Sequence, residues 1–308
     1  MKKINRRFFL KGGLAGGSLT FLGKAKEALA AKSKAKTPFP DGMGVLVDFS
    51  RCIGCRSCEA ACNKVNNLPE PDLPFDDVSV FEHTRRTHEK ARTVVNRYEV
   101  EGHEGPIFRK VQCNHCAEPG CLSSCFVNAY TKTDTGAVTY NGKVCVGCRT
   151  CMIACPFYIP AYSYSSVLNP LVVKCTMCYD TRLVDGKPPG CIEACPRDVM
   201  TLGKREDLIY MAHQRIRLNP GKYVNHLYGE KEVGGTAWMY LSPVPFEELG
   251  FDTTLGEKPI FGYVKEFLSI VPMVLTIWPA LFSGFYLLAT RKDALKKQEQ
   301  TTGEEAGE

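Results

Sequence analysis

The chain contains, at residues 52–62, the stretch Cys52-Ile53-Gly54-Cys55-Arg56-Ser57-Cys58-Glu59-Ala60-Ala61-Cys62, which has a CxxCxxCxxxC spacing. The same spacing recurs once, and two further groups of four cysteines have a longer gap before their third member. The four groups together use all 16 cysteines of the 308 residues, which indicates that the groups share one role. The other groups are Cys113, Cys116, Cys121 and Cys125, then Cys145, Cys148, Cys151 and Cys155, and then Cys175, Cys178, Cys191 and Cys195.

Three thiols in one tight loop, with a fourth one helical turn further on, are typical of the [4Fe–4S] sites of bacterial ferredoxins. Zinc sites instead combine two separated CxxC pairs. Disulfide frameworks suit small secreted domains without a sizeable core, whereas this chain is 44% hydrophobic. We therefore expect four [4Fe–4S] clusters, which carry single electrons. No other residue type replaces a cysteine in any group, so we expect no three-iron centre.

The groups must be paired, because in two-cluster ferredoxins the fourth cysteine of each run ligates the other cluster. Groups one and three share the pattern CxGCRxC, whereas groups two and four share a Pro-Gly-Cys step. Each ferredoxin-like unit should therefore combine one group of each kind. A turn followed by an alternating stretch at residues 134–140 predicts a hairpin between groups two and three, which makes them the inner unit. Strands predicted at 44–48 and 199–203 then close an outer unit around groups one and four.

We therefore predict an α+β fold with two interlocked ferredoxin-like 2[4Fe–4S] units. The outer unit comprises residues 44–64 and 172–205 and the inner unit residues 106–170, within a domain that spans 31–260. Residues 64–110 show no pattern that we can assign. The pairing predicts four ligand sets, with the cysteines as the iron ligands. Set 1 is Cys52, Cys55, Cys58 and Cys195; set 2 is Cys62, Cys175, Cys178 and Cys191; set 3 is Cys113, Cys116, Cys121 and Cys155; set 4 is Cys125, Cys145, Cys148 and Cys151.

Several charged residues lie next to these cysteines. Positive charge beside a cluster raises its reduction potential, but each of these side chains is equally well explained as an ordinary surface charge. The four are Arg56, Arg149, Lys174 and Arg197. His115 lies between two ligands, and we expect it to be packed or hydrogen-bonded, since four cysteines already complete the site.

The N-terminus resembles a twin-arginine export signal, because residues 5–11 read NRRFFLK and a Gly/Ala-rich stretch follows. We assign residues 1–30 to this signal peptide. The twin-arginine route carries folded proteins, which suits clusters that are assembled in the reducing cytoplasm. Residues 1–30 hold seven Lys or Arg and one acidic residue, and the remaining chain has 32 of each sign. The excess basic charge therefore belongs to the signal, and nothing predicts a nucleic-acid partner.

The C-terminal part contains 24 uncharged residues, 267–290. A helix of this length reaches about 36 Å, enough to cross a hydrocarbon core of roughly 30 Å. We assign residues 261–292 to a transmembrane anchor, with a buried core helix as the alternative. Four basic residues follow (Arg291, Lys292, Lys296 and Lys297) and predict a cytoplasmic tail at 293–308. The tail should be disordered from residue 298, and residues 31–260 should lie on the periplasmic side.

The four-group pattern resembles the iron–sulfur subunits of membrane respiratory oxidoreductases, such as formate dehydrogenase and polysulfide reductase. The twin-arginine signal, the single anchor, and the stretch LYGEKEVGGT at 227–236 before LSPVP at 241–245 resemble the HybA-like subunit of hydrogenase-2-type [NiFe] hydrogenases. This resemblance implies that small and large hydrogenase subunits supply electrons. An integral membrane subunit that reacts with quinone would accept them.

Two alternatives remain open. One is the equivalent beta subunit of a molybdenum or tungsten enzyme such as formate dehydrogenase. The other is a self-standing redox enzyme or sensor, which would need a substrate pocket with acid–base or nucleophilic groups. The sequence shows no catalytic motif, so we assign no catalytic residue, no nickel or molybdopterin site and no small-molecule substrate to this chain.

Overall fold

The computed structural model describes residues 42–164 and 171–305. The signal peptide predicted at residues 1–30 lies outside the described residues. A three-stranded sheet forms the centre of the fold, with β1 (Met43–Asp48) between β8 (Met200–Lys204) and β9 (Trp238–Leu241). β1 runs antiparallel to β8 and parallel to β9. The strands predicted at 44–48 and 199–203 are therefore present, and they pair with each other.

Both faces of β1 are buried, because its apolar residues do not alternate with polar ones. Val45 and Val47 face a core that contains Trp238 and Tyr240. Leu46 faces a second core, which lies beneath helix α5 (Arg205–Leu218). This sheet therefore separates two apolar layers of the domain.

The segment 227–236 is held by Arg205, the first residue of α5. Its guanidinium donates to the carbonyl oxygens of Thr236 at 2.8 Å and Glu230 at 2.7 Å. The Thr236 hydroxyl in turn donates to the carbonyl of Trp238 at 2.6 Å. A buried arginine therefore fixes this loop against the end of the central sheet, because its charge is shared among backbone acceptors.

In the described part of the chain, the other strands form three two-stranded sheets. β2 pairs with β3, β4 with β5, and β6 with β7, all antiparallel. The hairpin predicted around residues 134–140 is confirmed as β4–β5. The strands are β2 (Val94–Tyr98), β3 (Ile107–Val111), β4 (Tyr130–Lys132), β5 (Val138–Tyr140), β6 (Ala161–Ser163) and β7 (Leu171–Val173).

One short helix accompanies each cysteine group: α1 (Ser57–Val65), α2 (Gly120–Ser123), α3 (Thr150–Ile153) and α4 (Gly190–Glu193). α1 packs against α4, and α2 packs against α3. The glycine of each Pro-Gly-Cys step lies at the contact. A Cβ at Gly190 would come within 2.8 Å of Val65 Cγ2, and one at Gly120 within 2.6 Å of the Ala154 carbonyl. The step shared by groups two and four is therefore explained by close helix packing.

Residues 64–110, which matched no sequence pattern, form a loop and the β2–β3 hairpin. A buried carboxylate ties this region to α1. Glu59 accepts from the backbone N–H of Val95 at 2.6 Å, from Arg85 Nη2 at 2.7 Å and from Arg56 Nη2 at 3.1 Å. Two guanidinium groups and one amide satisfy this carboxylate, as a buried charge requires.

The last element is one long helix, α6 (Ile260–Glu305). Its residues Ile260–Leu295 have a peak mean hydropathy of 1.7 and none of that window is buried, so by length and composition it could cross a membrane. The expectation of disorder from residue 298 is wrong up to Glu305, because the helix continues there. Lys, Gln, Glu and Ala, which favour helices, dominate residues 293–300.

A substitution of Gly229 tests how much the close packing of the segment 227–236 contributes to stability. Gly229 has φ +93°, and a Cβ there would come within 2.5 Å of Thr236 Oγ1 and 2.6 Å of the Trp238 carbonyl. We expect Gly229→Ala to lower the free energy of unfolding by about 3–5 kcal/mol, since backbone strain and overpacking add. Denaturant titration of the full chain in detergent, followed by circular dichroism, measures this.

The matched control is Gly221→Ala. Gly221 has φ +90° with no heavy atom within 4 Å of the added Cβ. Only the backbone term of about 1–2 kcal/mol should then remain. Equal losses in the two variants would show that the contact with Thr236 and Trp238 has no role.

Candidate iron–sulfur centres

The shared CxGCRxC pattern reflects a shared backbone shape. Gly54 and Gly147 both have φ +70°, and the arginines two positions later have φ +59° at Arg56 and +62° at Arg149. A Cβ at Gly54 would lie 2.3 Å from the Phe108 ring, so only glycine fits there. Two left-handed residues in quick succession turn the chain sharply. The turn brings the first three thiols of the run together at the start of the helix.

Backbone N–H groups point at the thiols. The N–H of Met177 lies 3.3 Å from Cys175 Sγ, and that of Gly147 lies 3.4 Å from Cys145 Sγ. Behind the fourth cysteines, the N–H of Ala129 lies 3.2 Å from Cys125 Sγ and that of Val199 lies 3.4 Å from Cys195 Sγ. Such donors stabilise a thiolate and raise the potential of a cluster that it binds.

Cys62 receives a side-chain donor instead, because α1 continues past it and uses its backbone N–H groups internally. Asn66 Nδ2 donates to the Cys62 carbonyl oxygen at 2.8 Å, and it also lies 3.6 Å from Cys62 Sγ and 3.9 Å from Cys178 Sγ. Arg92 Nη1 donates to Asn66 Oδ1 at 2.8 Å and orients the amide. One amide therefore faces two thiols from different cysteine groups.

Two cavities are each lined by a complete predicted set. Cys52, Cys55, Cys58 and Cys195 line the first. Cys62, Cys175, Cys178 and Cys191 line the second. In both, three thiols come from one group and the fourth from its predicted partner group. The structure thus brings the members of set 1 together and those of set 2 together.

An apolar cluster around Tyr130 contains Cys121 of set 3 and Cys151 of set 4, with Cys125 and Cys145 of set 4 packed against it. Burial raises the pKa of Cys116 well above its usual value, and the neighbouring charges that raise it further are those of Cys113, Cys155 and Cys121. Burial also raises the pKa of Cys151, and the charges acting on it are those of Cys145, Cys148 and Cys125. In each case, the three cysteines named are the other members of the same predicted set.

The donor set fits an iron–sulfur cluster. Burial raises the pKa of Cys52 to about 11 and that of Cys121 to about 12, so these thiols need a metal to displace their protons at neutral pH. Trp238 Nε1 is buried without a hydrogen-bond partner among the described residues, and Trp238 lines the cavity of set 2. A sulfur acceptor at that place would satisfy this donor.

A single zinc ion fits less well. Zinc with Zn–S bonds of about 2.3 Å would draw four thiolates into one compact group. Across residues 42–164 and 171–305, no three His, Cys, Asp or Glu side chains are placed to hold one metal ion. The thiols of sets 1 and 2 each line a cavity instead.

His115 is packed and hydrogen-bonded, as expected from the sequence. It is fully buried, and its Nδ1 accepts the backbone N–H of Val138 at 2.8 Å. Burial lowers its pKa well below the usual value, so the ring is neutral and carries its proton on Nε2. Nε2 is a second buried donor without a partner in the described chain.

The four charged neighbours differ in what they contact. Lys174 is buried, and its Nζ lies 2.9 Å from the Cys175 carbonyl and 3.9 Å from Cys113 Sγ. Arg56 is buried but bound to Glu59, whereas Arg149 and Arg197 are exposed. Lys174 is therefore the one of the four that contacts a thiol. Sequence reasoning missed Lys110, a buried lysine of β3 that lines the cavities of both set 1 and set 2.

Four cysteine quartets on this α+β fold define a ferredoxin-like iron–sulfur protein. A family model described as a 4Fe-4S dicluster domain matches residues 106–205. The hydrogenase-2 operon protein HybA of Escherichia coli O157:H7 is 35% identical over 277 residues, which cover 80% of this chain and 83% of that protein. The chain therefore belongs to the HybA-like family of [4Fe–4S] ferredoxin subunits.

Other relatives agree with this placement. A protein of Nitratidesulfovibrio vulgaris is 52% identical over 295 residues, which cover 96% of this chain and 79% of that protein. The formate dehydrogenase-O iron-sulfur subunit of Escherichia coli K12 is 34% identical over 211 residues, which cover 66% of this chain and 67% of that subunit. The chain is thus an iron–sulfur electron-transfer subunit related to those of formate dehydrogenases.

A substitution of Asn66 tests whether its amide affects the potential of a cluster bound by set 2. Asn66→Ala removes the amide that faces Cys62 and Cys178. We expect one midpoint potential to fall by roughly 20–60 mV, since a hydrogen bond contributes about 0.5–1.5 kcal/mol. A redox titration followed by electron paramagnetic resonance (EPR) measures this.

Asn63→Ala on the same helix is the control. Asn63 Nδ2 donates to the Pro69 carbonyl at 2.8 Å rather than to a thiol. A shift of the same size in both variants would show that the Asn66 amide has no specific effect on the site.

Proposed function

We propose that this chain carries four [4Fe–4S] clusters and relays electrons from a periplasm-facing [NiFe] hydrogenase to an integral membrane subunit that reacts with quinone. The observation that carries this proposal is the similarity to HybA over 80% of the chain. The clusters would supply one-electron transfer, and the catalytic chemistry would belong to the small and large hydrogenase subunits.

The predicted ligand sets are our proposal for how the sixteen cysteines are used. Three contacts support it. The members of set 1 and of set 2 each line one cavity. The Asn66 amide faces both Cys62 and Cys178. The contact of α1 with α4, and of α2 with α3, joins the two groups of each proposed unit.

We propose that the four sets follow one another in a row. Lys110 lies between sets 1 and 2, because it lines both of their cavities. Lys174 lies between sets 2 and 3, because it contacts Cys175 and Cys113. Sets 3 and 4 meet where Cys121 and Cys151 share an apolar cluster. We propose that partner subunits dock at the two ends of this row.

Exposure and the anchor support this assignment of ends. Cys55 of set 1 and Cys148 of set 4 are the exposed thiols of the row. A Cβ at Gly120 would lie 3.6 Å from Ile260 Cβ, so α6 begins beside α2, in the inner unit. The membrane subunit would therefore approach set 4 and the hydrogenase subunits would approach set 1.

We propose that the twin-arginine signal exports the folded chain and that α6 anchors it at the periplasmic face of the membrane, with the C-terminus in the cytoplasm. The apolar window of α6 supports the anchor. The basic residues after the window support the orientation.

The second candidate function is the equivalent beta subunit of a molybdenum or tungsten oxidoreductase. The identity of 34% to the formate dehydrogenase-O iron-sulfur subunit favours it, over a shorter match than that to HybA.

Purification through a tag on this chain separates the candidates. We expect nickel and hydrogen-dependent dye reduction in the co-purified complex. Molybdenum or tungsten with formate-dependent dye reduction would favour the second candidate. A chain that purifies without any partner would contradict both, and would favour a self-standing redox protein.

The ligand assignment is tested by Cys62→Ser. We expect it to alter the same EPR signal as Cys178→Ser, because the two cysteines belong to set 2. Cys58→Ser, in the same helix, is the control and should alter a different signal, that of set 1. If Cys62→Ser and Cys58→Ser alter one common signal, the proposed exchange of fourth cysteines is wrong.

A further inference from the structure

Lys110 is a lysine in the centre of the domain. It lies on β3, opposite Val95 of β2, and only 5% of it is exposed. It lines the cavity formed by set 1 and also the cavity formed by set 2. A charged group at such a place costs free energy unless another charge or several polar groups compensate it.

No carboxylate compensates this ammonium. Among the ion pairs of the described residues, none involves Lys110. Its Nζ donates to Gln112 Oε1 at 3.1 Å and lies 4.9 Å from the centroid of the Trp238 ring. A neutral amide and an aromatic face are weak partners for a buried charge.

The amide partner is itself held in one orientation. Gln112 Nε2 donates to the Tyr240 hydroxyl at 2.8 Å, and this hydroxyl donates to Asn114 Oδ1 at 2.6 Å. Because the Gln112 amide nitrogen is used in this way, its oxygen must face Lys110. The chain of side chains thus fixes the position of the ammonium rather than neutralising it.

The negative charge that matches Lys110 would come from the cysteines of sets 1 and 2 once they bind iron as thiolates. Burial lowers the pKa of Lys110, but the charges of Cys191 and Cys58 outweigh this and raise the pKa above its usual value. Burial raises the pKa of five cysteines near Lys110, and the ammonium opposes this rise in each. They are Cys52 and Cys58 of set 1, and Cys62, Cys175 and Cys191 of set 2.

We infer that Lys110 is a shared positive charge between the clusters of sets 1 and 2, which raises the reduction potentials of both. This inference rests on the proposed function, since it requires clusters in both sets. An added electron increases the negative charge of a thiolate-ligated cluster, so a fixed ammonium beside it favours the reduced form. Lys110 does not bind iron; it places a fixed positive charge beside the two clusters.

The effect should be confined to two clusters of the four. Lys174 is the lysine that contacts a thiol of set 3, since its Nζ lies 3.9 Å from Cys113 Sγ, whereas Lys110 lines the cavities of sets 1 and 2. The charge of Lys110 therefore acts on sets 1 and 2, and that of Lys174 acts on set 3. Removal of the Lys110 charge should leave the potentials of sets 3 and 4 close to their original values.

The test is an EPR-monitored redox titration of the full-length, cluster-loaded protein with Lys110→Met. We expect the equilibrium constant for reduction of two clusters to fall about tenfold or more, which corresponds to ~59 mV for a one-electron couple. The other two clusters should not shift. Lys110→Arg, which keeps the charge, should restore at least most of the lost potential.

Lys64→Met is the matched control. Lys64 is exposed on α1, two residues from Cys62, so the same change of charge occurs close to set 2 but in contact with water. Solvent screening should leave all four potentials unchanged. An equal shift in Lys64→Met and Lys110→Met would overturn the inference, and so would unchanged potentials in Lys110→Met.

Iron content separates the remaining outcomes. If Lys110→Met holds less iron than the wild type, retention of iron in Lys110→Arg supports a requirement for positive charge. Equal loss of iron in Lys110→Arg overturns the inference, because it would show that the site requires the shape of the lysine side chain rather than its charge. Fewer than four clusters in the wild-type protein would contradict the proposed function itself. Four clusters with unchanged potentials in Lys110→Met would overturn only the role of Lys110.

Discussion

Burial of many thiols in one small domain is the constraint on which the rest of this structure depends. A thiolate in a core of low dielectric constant is unfavourable unless donors or positive charges face it. The chain provides these in three ways. Backbone N–H groups face the thiols of Cys125, Cys145, Cys175 and Cys195. The Asn66 amide faces the thiol of Cys62, because helix α1 uses the backbone donors there for its own hydrogen bonds. Buried lysines supply charge between neighbouring sets.

The same constraint accounts for polar groups that would be costly in an ordinary core. Lys110 has no carboxylate partner, and the indole nitrogen of Trp238 has no acceptor in the described chain. In a protein without cofactors both would be defects of packing. Beside thiolate-rich clusters they become favourable, since each places a donor or a charge where negative charge accumulates.

The sequence was sufficient to predict the features that depend on local spacing. The β4–β5 hairpin followed from a turn and an alternating strand within one short segment. The pairing of β1 with β8 followed instead from the two predicted strands that flank groups one and four. Lys110 was not predictable, since a lysine in a strand ordinarily faces water and only the packing of β3 against two cysteine sets makes it buried. The helix beyond residue 298 was missed because polar composition alone does not distinguish an exposed helix from a disordered tail.

The contact between α1 and α4 has a consequence for the order in which the protein matures. Under the proposed ligand assignment, the inner sets are complete once the ribosome has passed Cys155, whereas set 1 waits for Cys195. Gly190 allows α4 to dock on α1 only after the whole inner unit has been synthesised between them. The outer unit therefore closes last, after every residue of the inner unit has been synthesised. A chain truncated before α4 would keep the cysteines of sets 3 and 4 but could not close the outer unit.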